Sequence, residues 1–310
     1  MALDPRAGRL LDMLATFGAD RAHCDIEERR AAFRKLMALF GPVPSLYAVE
    51  DITMPGPGGL LRLRLYTPRP AAAQPAPGIV YFHGGGLVSG DLDTHDGLCR
   101  VLADQSGCRV VAVDYRLAPE HKFPAAVEDC GAALRWVFAN ASAMRIDPAR
   151  IGVAGDSAGG TLAAVACQNG GDRAGIAPAF QLLLCPILDH GGETASRRTL
   201  AEGCLVDEAT LRRDLDLYLP PGGDAADPRV SPLRASNFAD LPPALIHTAE
   251  FDPLRDEALA YGTALRRAGV AAETTCHPGM IHLFYALGMV IPYAHAALRQ
   301  IGGQIRAAVE

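Results

Sequence analysis

The chain lacks any run of 18 or more apolar residues, so no membrane-spanning helix is expected. It also lacks an excess of basic charge. Its 29 Lys and Arg stand against 35 Asp and Glu, a formal net charge of −6. Nucleic-acid binding needs a basic face to neutralise phosphates, so no such partner is expected. The eight cysteines stand singly at positions 24, 99, 108, 130, 167, 185, 204 and 276, with no Cys-x-x-Cys pair. That spacing argues against a structural zinc site. Cys167 and Cys185 fall in apolar runs and read as small buried hydrophobes, which fits a reducing compartment. Asp4, Arg6 and Arg9 interrupt the apolar residues of the N-terminus, so no secretory leader is expected and a cytoplasmic setting is. No internal repeat and no disordered tract is visible.

What is present is apolar and ordered. A chain of 310 residues that is 49% hydrophobic can bury a large core. Strand-like runs occur at Ser45 to Met54, Leu60 to Tyr66, Gly78 to Phe82, Arg109 to Val113, Arg150 to Ala154, Ala179 to Leu184, Ala244 to Ala249 and Ala272 to Cys276. Helix-like stretches separate most of them, which predicts a mostly parallel eight-stranded sheet with helices on both faces. Pro55-Gly56-Pro57-Gly58-Gly59 reads as a hairpin turn between the first two strands, and Pro68 to Pro77 as a loose surface loop. Ahead of the first strand, Leu10, Leu11, Leu14 and Phe17 recur at helical spacing, as do Phe33, Leu36, Met37 and Phe40. Such stripes more often bury against a core than line a pocket.

Two motifs carry chemistry. The strand-like Ile151 to Ala154 runs into Gly155-Asp156-Ser157-Ala158-Gly159-Gly160, and a helix-like stretch follows. This strand–turn–helix order suits a nucleophile elbow, in which the serine must stand clear of the backbone and flanking glycines avoid a clash. The second is His83-Gly84-Gly85-Gly86, directly after a strand-like run. Acyl transfer needs backbone N–H groups aimed in advance at the developing oxyanion, and glycines let the backbone come close. The donors expected are the N–H groups of Gly84 and Gly85, with that of Ala158. No Lys-Ser/Thr follows these glycines, which argues against a phosphate cradle.

A base and an acid should follow the serine in the order acid, then histidine. Five histidines lie downstream: His190, His247, His277, His282 and His295. His247 sits inside an apolar run and reads as a core residue, His190 lies in a polar turn, and His295 lies in an alanine-rich helical stretch. His277 and His282 both fall after the strand-like Glu273 to Cys276, and position alone leaves both open. Asp252 follows the apolar run Ala244 to Ala249, at the strand's carboxyl end where an acid belongs. Asp256 reads as one helical turn further, on a solvated face. Asp156 reads as a brace for its loop. Asp114, Tyr115, Arg116, Glu120 and His121 read as a hydrogen-bonded brace for the site loops.

These residues carry a family likeness. The chain resembles the hormone-sensitive-lipase-like branch of the α/β hydrolases, the bacterial carboxylesterase group. The likeness rests on His83 to Gly86, Asp114 to Glu120, Phe123 to Ala126, Gly155 to Gly160, Asp252 to Asp256 and Gly279 to Phe284, and spans residue 45 onward. It implies an α/β-hydrolase fold over 45–310, with residues 1–44 and an insertion at about 190–221 forming a helical cap. It implies Ser157 as nucleophile, Asp252 as acid and, by its place between Gly279 and Phe284, His282 as base. The activity implied is hydrolysis of short- to medium-chain carboxylic esters, with no cofactor and no metal. Amide or lactone hydrolysis would use the same site. A ligand-binding receptor of the same fold would lack the histidine that this chain keeps. The partners expected are a small-molecule ester and, left open, a second copy of the chain in a homodimer.

The family usually has glycine after the catalytic histidine, where this chain has Leu283. The expectation is an ordinary backbone there and an extra apolar wall. Pocket residues expected on composition and position are Phe33, Phe40, Leu87, Leu205, Leu211 and Leu283, with Leu215 and Tyr218 also in the cap.

Overall fold

The apolar runs form strands in the computed structural model of the protein, which describes residues 2–17, 24–70, 75–168 and 176–310. They are β1 (Ala48–Gly56), β2 (Gly59–Thr67), β3 (Ala76–Phe82), β4 (Arg109–Val113), β5 (Ile146–Asp156), β6 (Gln181–Leu184), β7 (Ala244–Phe251) and β8 (Ala272–Ile281). They make one sheet in the order β1-β2-β4-β3-β5-β6-β7-β8. β2 runs antiparallel to β1 and β4, and every other neighbouring pair is parallel. Successive side chains of a strand point to opposite faces. Along β3, Ile79 and Tyr81 accordingly join one apolar cluster, and Val80 and Phe82 join the other. With cores on both faces, a strand such as β4 can be buried at every position.

Helices cover both faces: α1 (Pro5–Phe17), α2 (Ile26–Met37), α3 (Asp96–Ser106), α4 (Ala125–Ala139), α5 (Ala158–Gln168), α6 (Ala195–Thr199), α7 (Glu208–Tyr218), α8 (Arg255–Arg267) and α9 (Tyr293–Val309). Among the described residues, no helix is long and apolar enough to cross a membrane. A capping box between Asp25 and Glu28 starts α2, and the Asp207 side chain caps α7. Leu10, Phe33, Met37 and Phe40 are buried, as their stripes predict. The side chain of Phe17, and residues 71–74 of the expected loop, lie outside the described residues.

Three of the differences between element boundaries and the sequence reading have a visible cause. Gly56 pairs with Gly59, so the hairpin turn is only Pro57 and Gly58, and Pro55 lies in the ladder. β1 is an edge strand, where a missing N–H is tolerated. β5 begins at Ile146 rather than Arg150, because Ile146 pairs with Ala76 across a register shift. β8 runs on to Ile281, so His277 lies within a strand and not in a loop. Pro278 and Gly279 look like a turn, yet β8 is the other edge, and Gly279 (φ 71°) falls where the pairing with β7 shifts register.

The sheet's geometry sets where chemistry can occur. β3 connects outward to β4 on one side and lies beside β5 on the other. The loops leaving the carboxyl ends of β3 and β5 therefore open a crevice at the point where strand order reverses.

Candidate active site

Ser157 is the single residue between the end of β5 and the start of α5, and its φ is 52°. A left-handed conformation costs a non-glycine residue about 1–2 kcal/mol, so the surroundings must impose it. They do so through backbone. A Cβ on Gly155 would fall 2.1 Å from the Gly159 carbonyl oxygen, and a Cβ on Gly159 would fall 2.0 Å from that of Phe82. Neither carbonyl can swing aside as a side chain could, so the glycines of the motif are steric requirements.

Three side chains from different strand ends meet here. His282, just past β8, has its Nε2 3.0 Å from Ser157 Oγ and its Nδ1 2.8 Å from Asp252 Oδ2. A carboxylate only accepts, so Nδ1 carries the proton and Nε2 is the acceptor for the serine hydroxyl. The Leu254 N–H donates to Asp252 Oδ1 over 2.9 Å, which fixes the carboxylate's other oxygen. Asp252 and His282 are fully buried. His277 is not brought to Ser157. Its ring lies 3.0 Å from His247 Nδ1 on one side and 3.0 Å from the Tyr293 hydroxyl on the other. Asp256, on α8, accepts from the Ser196 N–H instead.

The glycine loop after β3 requires a correction. Gly84 was expected to offer its N–H to an oxyanion, but that N–H donates to Asp156 Oδ1 over 2.8 Å. The Gly84 backbone is pinned under the elbow, where a Cβ would lie 2.4 Å from the Asp156 carboxylate. Among the described residues nothing accepts from the N–H groups of Gly85, Gly86 or Ala158. Gly85 and Gly86 both have positive φ, 121° and 70°, which glycine adopts without strain. The sequence could not separate three adjacent glycines, because which N–H turns inward depends on Asp156 beneath them.

Asp156 is the hub of this loop, accepting from the Tyr81 hydroxyl as well. Burial alone would raise its carboxyl, but attraction to His95 and hydrogen bonds from His95 and Tyr81 hold it below the usual carboxylate range. Of the expected brace, the Tyr115 hydroxyl donates to the His83 carbonyl over 2.6 Å and its ring stacks on His83. Arg116 pairs with Asp129, Asp114 with Arg62, and Glu120 with Arg30.

Ser157 and His282 line a narrow cavity of about 50 Å³, together with Phe33 and Leu36 of α2, Leu205, Leu211 of α7 and Leu283. Four of the six expected pocket residues are thus present. Phe40 is not, because its ring packs on Gly97, where a Cβ would meet it at 2.7 Å. Leu87 is not, because its side chain is buried in the apolar cluster on one face of the sheet. Leu215 and Tyr218 also pack against that cluster. Arg29, Thr210 and Asp214 line the cavity without having been anticipated. The i, i+4 spacing of Thr210 and Asp214 was the available signal.

Leu283 corrects a second expectation, since its backbone is left-handed (φ 58°, ψ 13°). It precedes a single 3₁₀ turn over Phe284–Ala286, and its carbonyl accepts from the Ala286 N–H. Its side chain is 4% exposed. Burying a leucine contributes about 1.5–3 kcal/mol, which offsets a backbone strain of about 1–2 kcal/mol.

Cys185, Asp252 and His282 are the one group of metal-ligand atoms among the described residues, all within 4.8 Å of one another. They do not suit a metal. His282 already uses Nδ1 on Asp252 and Nε2 on Ser157, so neither ring nitrogen is free for an ion.

The buried His83, His247 and His277, with His190, which is half-buried with its Nε2 shut off from solvent, make a pH prediction. Burial lowers His83 and His277 to about 4, and His190 and His247 to about 3, so the folded protein keeps all four neutral. Their ordinary value is about 6.5. Below it the unfolded chain takes up protons that the folded chain does not, so stability falls as pH drops. The melting temperature should decline steadily from pH 6.5 towards pH 4, and less steeply in His190→Gln. A flat profile across that window would contradict the burial argument.

Residues 79–286 match the alpha/beta hydrolase fold family. The carboxylic ester hydrolase LipN of Mycobacterium tuberculosis is 42% identical over 298 residues, covering 92% of this chain and 77% of LipN. The ethyl acetate hydrolase of Pseudomonas putida is 38% identical over 297 residues, covering 94% and 91%. The solved hyperthermophilic esterase of Pyrobaculum calidifontis superposes with a TM-score of 0.94 at 40% identity, covering all of both chains. The chain belongs to the α/β-hydrolase family. Within it, the chain falls in the hormone-sensitive-lipase-like branch and is a carboxylesterase.

Proposed function

We propose that Ser157, His282 and Asp252 hydrolyse short-chain carboxylic esters by a two-step acyl transfer. The observation that carries this reading is the single line of contacts from Asp252 through His282 to Ser157 Oγ, beside a cavity walled by Phe33, Leu205, Leu211 and Leu283. Ser157 Oγ attacks the ester carbonyl while His282 Nε2 takes its proton, and Asp252 holds the ring in the right tautomer and stabilises the imidazolium. The N–H groups of Gly85, Gly86 and Ala158 receive the oxyanion, and the positive end of the α5 dipole adds to them. His282 returns its proton to the leaving alcohol, then deprotonates the water that releases the acyl group.

Residues 1–44 and about 190–221 serve as a cap over the catalytic portion, 45–310. Support comes from cavity-lining residues on α2 and α7. A relative named ethyl acetate hydrolase supports a small acyl group.

An alkyl fluorophosphonate tests the reading. Oγ should displace fluoride to give one phosphonyl group per chain, carried on the peptide containing Ser157, and excess butyrate ester should slow it. Labelling at another residue, or none, would overturn the assignment.

A further inference from the structure

The cavity is apolar on most sides but has one polar corner. Thr210 and Asp214 are 6% and 5% exposed, one helical turn apart on the same face of α7. Asp214 Oδ2 pairs with Arg29 Nη2 over 3.1 Å, joining α7 to α2. Asp214 Oδ1, Thr210 Oγ1 and Arg29 Nε are buried with no hydrogen-bond partner among the described residues. All three residues line the same cavity as Ser157. Buried polar atoms are nearly always paired, so three orphans facing one cavity call for an explanation.

We propose that Thr210, Asp214 and Arg29 form a polar subsite that recognises a hydroxyl group on the substrate, so the ester preferred here is a hydroxylated short-chain one. This rests on Ser157 being the nucleophile. A hydroxyl is the group that fits the corner's chemistry. It donates to Asp214 Oδ1 and accepts from Thr210 Oγ1, while Arg29 Nε offers a second donor to its oxygen. Arg29 already balances the Asp214 charge, so an ammonium gains little, and a carboxylate would meet Asp214. The subsite is close to the reacting carbonyl. A Cβ on Gly86 would fall 2.1 Å from Asp214 Oδ2, so the carboxylate rests on the glycine loop itself. The Asp214 end of the subsite therefore lies beside the glycine loop that faces Ser157.

The acyl and alcohol sides of the ester are two sources of that hydroxyl, and the test separates them. Dissociation constants are measured by calorimetry on Ser157→Ala, which cannot turn the ligand over. The ligands are ethyl butyrate, ethyl 3-hydroxybutyrate and 2-hydroxyethyl butyrate. One hydroxylated ester should bind at least about tenfold more tightly than ethyl butyrate, the effect of a paired buried hydroxyl. The advantage should shrink to about twofold or less on adding Thr210→Val, which leaves the Arg29–Asp214 pair intact, or Asp214→Asn. Equal binding of all three esters, as a resident water would give, overturns the subsite, and so does an advantage that survives Thr210→Val. Absent phosphonate labelling in the unaltered enzyme would count against Ser157 as nucleophile alone, because these constants need no turnover.

Discussion

Ser157→Ala should lower kcat/KM for a butyrate ester by at least about 10⁴-fold, with the fold intact. The loss is large because His282 then has no hydroxyl to activate, and the N–H groups of Gly85, Gly86 and Ala158 have no tetrahedral oxyanion to receive. The stability cost is small. One hydroxyl and one hydrogen bond disappear, a change on the order of 1 kcal/mol, and alanine keeps the same left-handed strain as serine. His282→Ala should be comparably severe, since members of a triad act as a unit and their losses do not add. His277→Ala separates chemistry from structure. It breaks the buried contacts to His247 and Tyr293, so it should lower the melting temperature while leaving most turnover. Initial rates and thermal melts of the three variants settle the matter. More than a few per cent of activity in Ser157→Ala, or a milder loss in His282→Ala than in His277→Ala, would sink the assignment.

Ser157, Asp252 and His282 were legible in the sequence for different reasons. Ser157 is announced by its own steric needs, because Gly155 and Gly159 meet backbone carbonyls that no other residue could accommodate. Asp252 is announced by an apolar run ending just before it. Choosing between His277 and His282 needed the family likeness, because β8 crosses Pro278 and Gly279 and local pattern suggested a loop too early. Inner strands such as β3 and β4 were legible because both faces of the sheet are buried there, which writes them as near-continuous apolar runs, whereas polar residues interrupt β1, β2 and β8. Gly84 was misread for the opposite reason. What turns its N–H away is the Asp156 carboxylate, 72 residues along the chain, and local pattern does not encode such a contact. Phe40 and Leu87 show the same limit. Apolar character says that they are buried, not whether in the cavity or in the core beside it.

The second large effect concerns acyl length. Activity should peak on acyl groups on the order of four to eight carbons, towards the short end, and fall steeply beyond. Each methylene that finds room contributes about 0.8 kcal/mol. Once the cavity is full, overpacking costs about 1–3 kcal/mol, which is about 5- to 150-fold in kcat/KM. The bulky walls Phe33, Leu205, Leu211 and Leu283 limit the length of chain that the cavity accepts. Leu283→Gly is the discriminating variant. Glycine relieves about 1–2 kcal/mol of left-handed strain, but removing a buried leucine side chain costs about 2–5 kcal/mol. The protein should therefore melt lower while its optimum shifts to longer acyl groups. The measurement is kcat/KM from acetate to palmitate for both proteins. If the parent enzyme is fastest on palmitate, or if Leu283→Gly lowers every rate without moving the optimum, the wall at Leu283 does not set chain length. An unshifted optimum together with a lower melting temperature would leave Leu283 a structural role only, its side chain holding the turn that carries His282.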